Sequence, residues 1–411
     1  MLNLDLLFKY LEADASCLGL DDLSVFGIEA SDFITPQMYA RPRCQYPKKN
    51  PGPFLISIAK SKRHILLYPD IETANALALQ SKPGLQSLHI QPYGKAYFSL
   101  DQSPKSDQSL GSVIDTIKDQ DSIQSWQING DTLPYSLIQV LKQNNATIVP
   151  NAGALIDNIL IDSPKTPRQI EAYRRAVQVA KTTLDHLQTK IDTMTATDTW
   201  AESEIHAEIV EQIQSHAQCQ PLHCIVQGND YHPRNASPHA ALSAQSPVLK
   251  VDIGVAYQEG GNVGIADISD TFFFPLSQID SNPQITQRYQ DLHCLYELSQ
   301  GMVRHIQDHV APGISADALY RKASQYFDSE ISPRLVERGI TTGPSTLGRN
   351  IGHWISDYVE GPNLIAGELR VLKPGDILCL ELPIGSKSLD LSVNFEIEGV
   401  VTNTGFDDFT L

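Results

Sequence analysis

Apolar residues recur at spacings of three and four along one segment of the chain, and this pattern predicts a long amphipathic helix. The segment opens with Thr166-Pro167-Arg168-Gln169, which has the form of a capping box with proline at the first helical position. Its predicted buried face consists of Ile170, Tyr173, Val177, Ala180, Leu184, Leu187 and Ile191. Similar patterns predict a second helix opened by Thr199-Trp200-Ala201-Glu202, a third from Asp291 to Val310 and a fourth capped by Ser315.

Shorter apolar runs predict strands in two parts of the chain. The first part contains three predicted strands and a helix, so we expect an α/β domain there; these elements are Phe54 to Ile58, His64 to Leu67, Ala146 to Val149 and the helix Ser136 to Lys142. In the second part, strands mix with the four helices as in an α+β domain. These strands are Val248 to Val255, Ile268 to Phe274, Ile377 to Leu382 and Glu398 to Thr402. A boundary near Asp162-Ser163-Pro164-Lys165 divides the chain into predicted domains 1–162 and 163–411.

The composition of the 411 residues is that of a globular protein, with 41% hydrophobic and 19% charged residues. Acidic residues outnumber basic ones by 48 to 31, and the net charge of -17 disfavours binding to nucleic acid. No apolar run approaches the roughly 18 residues that a membrane helix needs. The first residues lack the basic region of a secretory signal. The six cysteines form no Cys-x-x-Cys pair. We therefore expect a cytoplasmic protein with reduced thiols and no membrane partner.

Several residues that can bind a metal ion lie in apolar, strand-like surroundings. They are Asp252, Asp267, His353, Glu381 and Glu396, with Glu398 close to the last. Burying a lone ionised carboxylate costs several kcal/mol, so such groups are normally paired or bound to metal. Each residue alone is better explained by an ion pair, a turn or a hydrogen-bonded core histidine. Together, four carboxylates and one imidazole suit two divalent ions that share bridging carboxylates.

The segments around these residues resemble motifs of the creatinase/aminopeptidase P/prolidase superfamily, the pita-bread metallopeptidases. The resemblance extends from about Ser163 to the C-terminus, with a weaker likeness to the creatinase-type N-terminal domain before it. The matching segments are Pro164 to Glu171, Val251-Asp252-Ile253-Gly254, Asp267 to Thr271, Gly352-His353-Trp354, Gly375 to Pro383 and Val400 to Gly405. The resemblance implies an α+β pita-bread catalytic domain preceded by a smaller creatinase-like α/β domain.

The resemblance also implies a set of metal ligands for two-metal hydrolysis: Asp252, Asp267, His353, Glu381 and Glu396. Glu396 is chosen because Val400 to Gly405 follows it at the family's distance, although a different register would exchange it with Glu398. The implied ions are two divalent metals, manganese first, with cobalt, zinc or iron as alternatives. Glu381 is the expected general base as well as a ligand.

Four positions near the implied site bear on the substrate or depart from the family. Relatives that cleave Xaa-Pro peptides carry histidines where this chain has Arg349 and Glu360. Arginine can hold a carboxylate or an oxyanion, whereas ionised glutamate only accepts hydrogen bonds and suits a cation. Asp270 replaces a residue that is commonly basic. The substrate histidine of the family corresponds to His239, with His232 as the alternative.

The resemblance favours a dinuclear Xaa-Pro aminopeptidase or dipeptidase that acts on short peptides, because the N-terminal domain is typical of that branch. In relatives this domain narrows the entrance to the site, often across a dimer, so a homodimer is expected. The first alternative is a creatinase-like hydrolase or lyase for a small zwitterionic metabolite, which Arg349 and Glu360 would suit. The second is a binding protein that has lost catalysis, but such members typically lose metal ligands.

Overall fold

A computed structural model gives the fold of most of the chain. It describes residues 4–23, 26–28, 32–33, 52–94, 109–128, 133, 135–143, 147–150, 152–163, 165–228, 235–260, 262–279, 281–340, 350–355, 361–386 and 391–411. The chain forms two compact units, Met1–Ser163 and Pro164–Leu411.

The first unit is built on a mixed six-stranded sheet with the strand order β4-β3-β2-β1-β5-β6. Its strands are β1 Ala15–Leu18, β2 Phe54–Ile58, β3 Arg63–Pro69, β4 His89–Tyr93, β5 Ser125–Ile128 and β6 Thr147–Pro150. Its helices are α1 Leu7–Tyr10, α2 Leu20–Leu23, α3 Thr73–Gln80, α4 Leu110–Asp121, α5 Tyr135–Gln143 and α6 Ala152–Asp162. Successive residues of a strand point to opposite faces of the sheet. Thus Leu55 and Leu66 belong to one apolar core and Ile56 and Ile65 to another, so helices cover both faces.

The second unit contains a three-stranded and a four-stranded antiparallel sheet, with the strand orders β11-β10-β8 and β12-β13-β16-β17. Its strands are β7 Thr199–Ala201, β8 Cys219–Gly228, β9 Ala241–Ser243, β10 Val248–Glu259, β11 Asn262–Phe273, β12 Gly352–Trp354, β13 Ile377–Glu381, β14 Ile384–Ser386, β15 Leu391–Val393, β16 Glu396–Val401 and β17 Phe406–Asp408. Its helices are α7 Pro167–Asp192, α8 Glu202–Gln214, α9 Pro283–His309, α10 Ala316–Tyr326 and α11 Ser332–Glu337.

Helix α7 begins where the capping box predicts. The Thr166 hydroxyl accepts a hydrogen bond from the Gln169 N–H at 3.2 Å, and Gln169 Oε1 accepts one from the Thr166 N–H at 2.9 Å. Six residues of the predicted apolar face are buried in the core formed with β10 and β11, and Ile170 is partly buried against that core. Gly264 of β11 lies so close to the helix that a Cβ there would fall 2.0 Å from the carbonyl carbon of Ala172. This contact brings the backbone of α7 against the strand pair that carries two of the predicted ligands.

Two predicted helix starts differ from the structure. Residues Thr199 to Ala201 form strand β7, paired with β9, so Thr199 is not a helix cap and α8 begins at Glu202. Helix α9 begins at Pro283, eight residues before the predicted start, because the Asn282 side chain accepts a hydrogen bond from the Gln284 N–H and caps it. Ser315 caps α10 as predicted. Among the described helices, none has the length and apolar character needed to cross a bilayer.

Candidate metal centre

The three-stranded sheet places two of the predicted ligands on one face. Gly254 of β10 pairs with Asp267 of β11 on one side and with His223 of β8 on the other. Directly paired residues of antiparallel strands project to the same face, and so do residues two apart on one strand. Asp252, two residues before Gly254, therefore shares this face with Asp267 and His223.

The four-stranded sheet supplies the other three predicted ligands. Glu381 of β13 pairs directly with Glu396 of β16. His353 of β12 pairs with Cys379, which lies two residues before Glu381 on β13, so the imidazole shares the face of the two carboxylates. The local backbone depends on Gly352, whose φ of 132° is unfavourable for residues with a side chain and whose added Cβ would lie 2.2 Å from the Cys379 carbonyl oxygen.

The two sheets meet at a cavity of about 550 Å³. The described residues that line it are His223, Ile225, Asp252, Asp267, Asn350, His353, Glu381 and Glu396. All five ligands predicted from the sequence thus border one cavity. His353 Nε2 lies 3.5 Å from Asp267 Oδ2, which links the two sheets directly.

His353 is oriented so that one ring nitrogen faces the acidic cavity. Its Nδ1 lies 3.1 Å from the Trp354 carbonyl oxygen. A carbonyl only accepts hydrogen bonds, so Nδ1 carries the proton in this contact and Nε2 is the ring nitrogen that faces the acidic residues. A histidine that binds a metal normally has its second nitrogen fixed in this way.

Two of the cavity carboxyl groups, those of Glu381 and Glu396, lie in an environment that disfavours their negative charge. Burial, together with the charges of Asp252 and Glu381, raises the pKa of Glu396 well above its ordinary value. Burial also raises the pKa of Glu381, although nearby His353 opposes the rise. A cation bound in the cavity would favour the ionised forms of these two groups.

The choice between Glu396 and Glu398 is addressed by their positions on β16. Glu396 borders the cavity, whereas Glu398 is fully buried beside β11. Glu398 Oε2 accepts a hydrogen bond from the Asp267 N–H at 2.8 Å, and burial raises the pKa of this carboxyl well above its ordinary value. Glu398 is therefore placed to fix the backbone of Asp267, and Glu396 to face the cavity.

His223 also lines the cavity, although no pattern in the sequence predicts it. Its Nε2 lies 2.9 Å from Asp252 Oδ1 and 3.3 Å from Asp267 Oδ1. Burial acts to lower the pKa of His223, but hydrogen bonds to the two aspartates and their charge outweigh it and raise the pKa to about 10. The sequence carried no signal for this contact, since it depends on the register of β8 against β10.

None of the predicted substrate residues is among the described residues that line the cavity. His239 has an exposed side chain on the segment between 235 and 240 and is not among the residues that line the cavity. Arg349, Glu360 and the alternative histidine, His232, fall outside the described residues. Their roles in substrate binding remain predictions.

Asp270 lies apart from the cavity lining, against helix α9. Its Oδ1 accepts hydrogen bonds from the Tyr296 hydroxyl and from the Thr271 N–H, and Gln300 Nε2 donates to the Tyr296 oxygen at 2.9 Å. Burial raises the pKa of Asp270 from 3.8 to about 6 in spite of these bonds. At this position an acid anchors the strand to the helix.

Replacing Asp270 by asparagine is expected to raise stability at neutral pH. Because the pKa of Asp270 is higher in the folded state, its contribution to stability is complete below about pH 4 and is lost as the pH rises through about 6. Asp270→Asn removes this loss and should gain up to about 3 kcal/mol relative to the wild type above pH 6. Urea denaturation from pH 4 to 8 measures the difference, with exposed Asp328→Asn as the control. A stability difference between Asp270→Asn and the wild type that does not change with pH would show that the raised pKa of Asp270 is not its cause.

The residues of the cavity fit the metals that the sequence implies. Four carboxylates and two imidazoles line it, and two divalent cations would balance the four negative charges. Oxygen and imidazole donors together suit manganese, cobalt, iron and zinc. Within the described chain, one oxygen or nitrogen atom from each of His223, Asp252 and Asp267 lies within 4.8 Å of the others, close enough to share one ion.

Comparison with known proteins identifies the class to which this chain belongs. The profile of metallopeptidase family M24 matches residues 171–403, more than half of the chain, so the protein belongs to metallopeptidase family M24. The predicted superfamily and its pita-bread fold are therefore confirmed. None of the curated proteins compared by sequence matches this chain.

Solved structures resemble the chain over almost its full length. Prolidase from Pyrococcus furiosus is 16% identical, with a TM-score of 0.62, and the match covers 98% of this chain and 99% of the prolidase. Dipeptidase PepE from Mycobacterium ulcerans is 16% identical, with a TM-score of 0.66 and coverage of 98% and 93%. The N-terminal domain of the FACT complex subunit SPT16 from chickpea (Cicer arietinum) is also 16% identical, with a TM-score of 0.68 and coverage of 99% and 95%. At this identity the three matches establish the fold alone.

Proposed function

We propose that this protein is a dinuclear metal-dependent hydrolase that cleaves short Xaa-Pro peptides, as an aminopeptidase or a dipeptidase. The observation that carries the proposal is the convergence of four carboxylates and His353 on one cavity. Membership of a metallopeptidase family supports hydrolysis, and the fold shared with a prolidase supports the choice of peptide.

In this proposal the two ions are held by the five residues predicted from the sequence, Asp252, Asp267, His353, Glu381 and Glu396. When bound, divalent ions supply a Lewis acid for the substrate carbonyl and lower the pKa of water. The Glu381 carboxylate accepts the proton of the attacking water and returns it to the departing nitrogen.

The substrate side of the proposal rests on three residues predicted from the sequence. His239 would donate a hydrogen bond to the substrate, Arg349 would hold a carboxylate or developing oxyanion, and Glu360 would hold a cation. The cavity of about 550 Å³ suits a short peptide rather than a folded chain. A cytoplasmic homodimer loaded with manganese completes the proposal.

A second cavity beside the metal centre contains a group that suits a substrate carboxylate, whether the substrate is a peptide or the alternative, a small zwitterionic metabolite. This space of about 130 Å³ shares Ile225 and Asp252 with the metal centre and is lined by Lys250. Lys250 is 9% exposed, and its Nζ donates a hydrogen bond to Ser392 Oγ. A buried ammonium group beside the centre suits a substrate carboxylate, which dipeptides and zwitterionic metabolites both possess.

Product analysis by mass spectrometry separates these functions. The protein, loaded with manganese or cobalt, is incubated with Xaa-Pro dipeptides, Xaa-Pro-Xaa tripeptides, peptides that begin with methionine and small zwitterions. We expect cleavage before proline, its loss in Glu381→Ala, and its retention in Glu337→Ala, which changes an exposed glutamate on α11.

The other outcomes of this experiment point to the alternatives. Turnover of a zwitterion without peptide cleavage would replace the peptidase by the metabolite enzyme. Absence of any turnover, together with absence of bound metal, would favour a binding protein and overturn the proposal.

A further inference from the structure

His223 reaches the metal centre across a row of three strands. His223, Gly254 and Asp267 are consecutive cross-strand neighbours on β8, β10 and β11. The outer strands of such a row are about 10 Å apart, twice the spacing of neighbouring strands. Only a long side chain on one outer strand can contact a side chain on the other, and the His223 ring does so at 3.3 Å from Asp267 Oδ1.

The middle residue of the row makes this reach possible. A Cβ on Gly254 would lie 2.5 Å from His223 Nδ1 and 2.6 Å from its Cε1, closer than atoms of a side chain can approach. The imidazole therefore lies directly over the backbone of β10, in space that any other residue at position 254 would fill. The absence of a side chain at Gly254 thus allows His223 to direct its Nε2 toward Asp252 and Asp267.

The Nε2 atom of His223 lies beside carboxylate oxygens that the proposed function assigns to a metal ion. It lies 2.9 Å from Asp252 Oδ1. One possible ligand atom from each of His223, Asp252 and Asp267 lies within 4.8 Å of the other two. An imidazole nitrogen with carboxylate oxygens at these separations is a donor set for a divalent transition metal. The opposite side of the cavity already has its own imidazole, His353.

We propose that His223 is a sixth protein ligand of the dinuclear centre and binds the ion held by Asp252 and Asp267 through Nε2. This inference rests on the metal centre of the proposed function and adds a nitrogen donor to a side otherwise composed of carboxylates. Nitrogen donors favour zinc, cobalt and iron over manganese. His223 thus biases the Asp252 side of the centre toward these ions.

X-ray absorption spectroscopy with bound zinc tests the assignment without relying on catalysis. Wild type, His223→Gln and His216→Gln are each loaded with two equivalents of zinc. His216 is exposed beyond the end of α8 and serves as the matched control. We expect two zinc-bound imidazoles per chain in the wild type and control, from His223 and His353, and one in His223→Gln.

Isothermal titration calorimetry measures the same contribution as an affinity. It should show at least about tenfold weaker binding of one zinc ion in His223→Gln and a smaller change for manganese.

The outcomes distinguish this inference from the proposed function. Two bound ions with the same imidazole count and zinc affinity in wild type and His223→Gln would overturn the ligand role and leave the dinuclear centre intact. A wild-type protein that binds no metal would overturn both. Two zinc-bound imidazoles without cleavage of any peptide would support the ligand role of His223 and would contradict only the proposed peptidase activity.

Discussion

Glu396→Gln is expected to lower kcat for peptide hydrolysis by about 10³-fold, whereas Glu398→Gln should stay within about tenfold of the wild type. The two glutamates lie two residues apart on one strand, and the same substitution is made at both. Glu396 borders the cavity opposite Glu381, so its loss removes a charge that the proposal assigns to metal binding. Glu398 is fully buried and contacts the Asp267 N–H, which a glutamine oxygen can also accept.

Steady-state kinetics and metal analysis of the two variants provide the measurement. Glu396→Gln should bind less metal than the wild type, and Glu398→Gln should bind the same amount. A deep loss of metal and activity in Glu398→Gln with little change in Glu396→Gln would show that the alternative register is correct.

Gly264→Ala is expected to destabilise the second unit by about 3 kcal/mol, which lowers its melting temperature by roughly 6 to 12 °C. An added Cβ would lie 2.0 Å from the Ala172 carbonyl carbon and 2.2 Å from its oxygen. These are backbone atoms of α7 and cannot rotate away, so β11 and the helix must separate.

Gly260→Ala is the matched control in the loop between β10 and β11. A Cβ at Gly260 meets nothing within 4 Å, so its cost comes only from the φ of 56° and should be about 1 kcal/mol. Calorimetry of both variants measures the difference. Equal melting temperatures for Gly264→Ala and the wild type would contradict the close contact between β11 and α7.

The sequence predicts the second unit best where local signals and burial agree. The capping box at Thr166 and the apolar face of α7 are both present, because each depends on residues within a few turns of one helix. The predicted helix start at Thr199 is wrong, because the pairing of Thr199–Ala201 with β9 outweighs the local helix-capping signal. Local chemistry has less influence where another strand supplies the hydrogen bonds.

The candidate centre shows a similar limit. Glu396 and Glu398 lie two residues apart on β16 and project to the same face, so alternation along the strand cannot distinguish them. Contact with β11 determines that Glu398 is the fully buried one. His223 joins Asp252 and Asp267 only through the pairing of β8 with β10 and the missing side chain at Gly254. Both facts depend on contacts between distant segments and are not visible in the spacing of residues along the chain.

Cleavage of an Xaa-Pro dipeptide by metal-free protein, before and after divalent metal is restored, tests whether this chain is a metal-dependent Xaa-Pro hydrolase. Mass spectrometry of the products should show no cleavage by the chelated protein, cleavage after manganese, cobalt or zinc is added, and none by Glu381→Ala under either condition. Cleavage that continues unchanged without metal would contradict the claim, as would a fully metal-loaded protein that leaves every Xaa-Pro peptide intact.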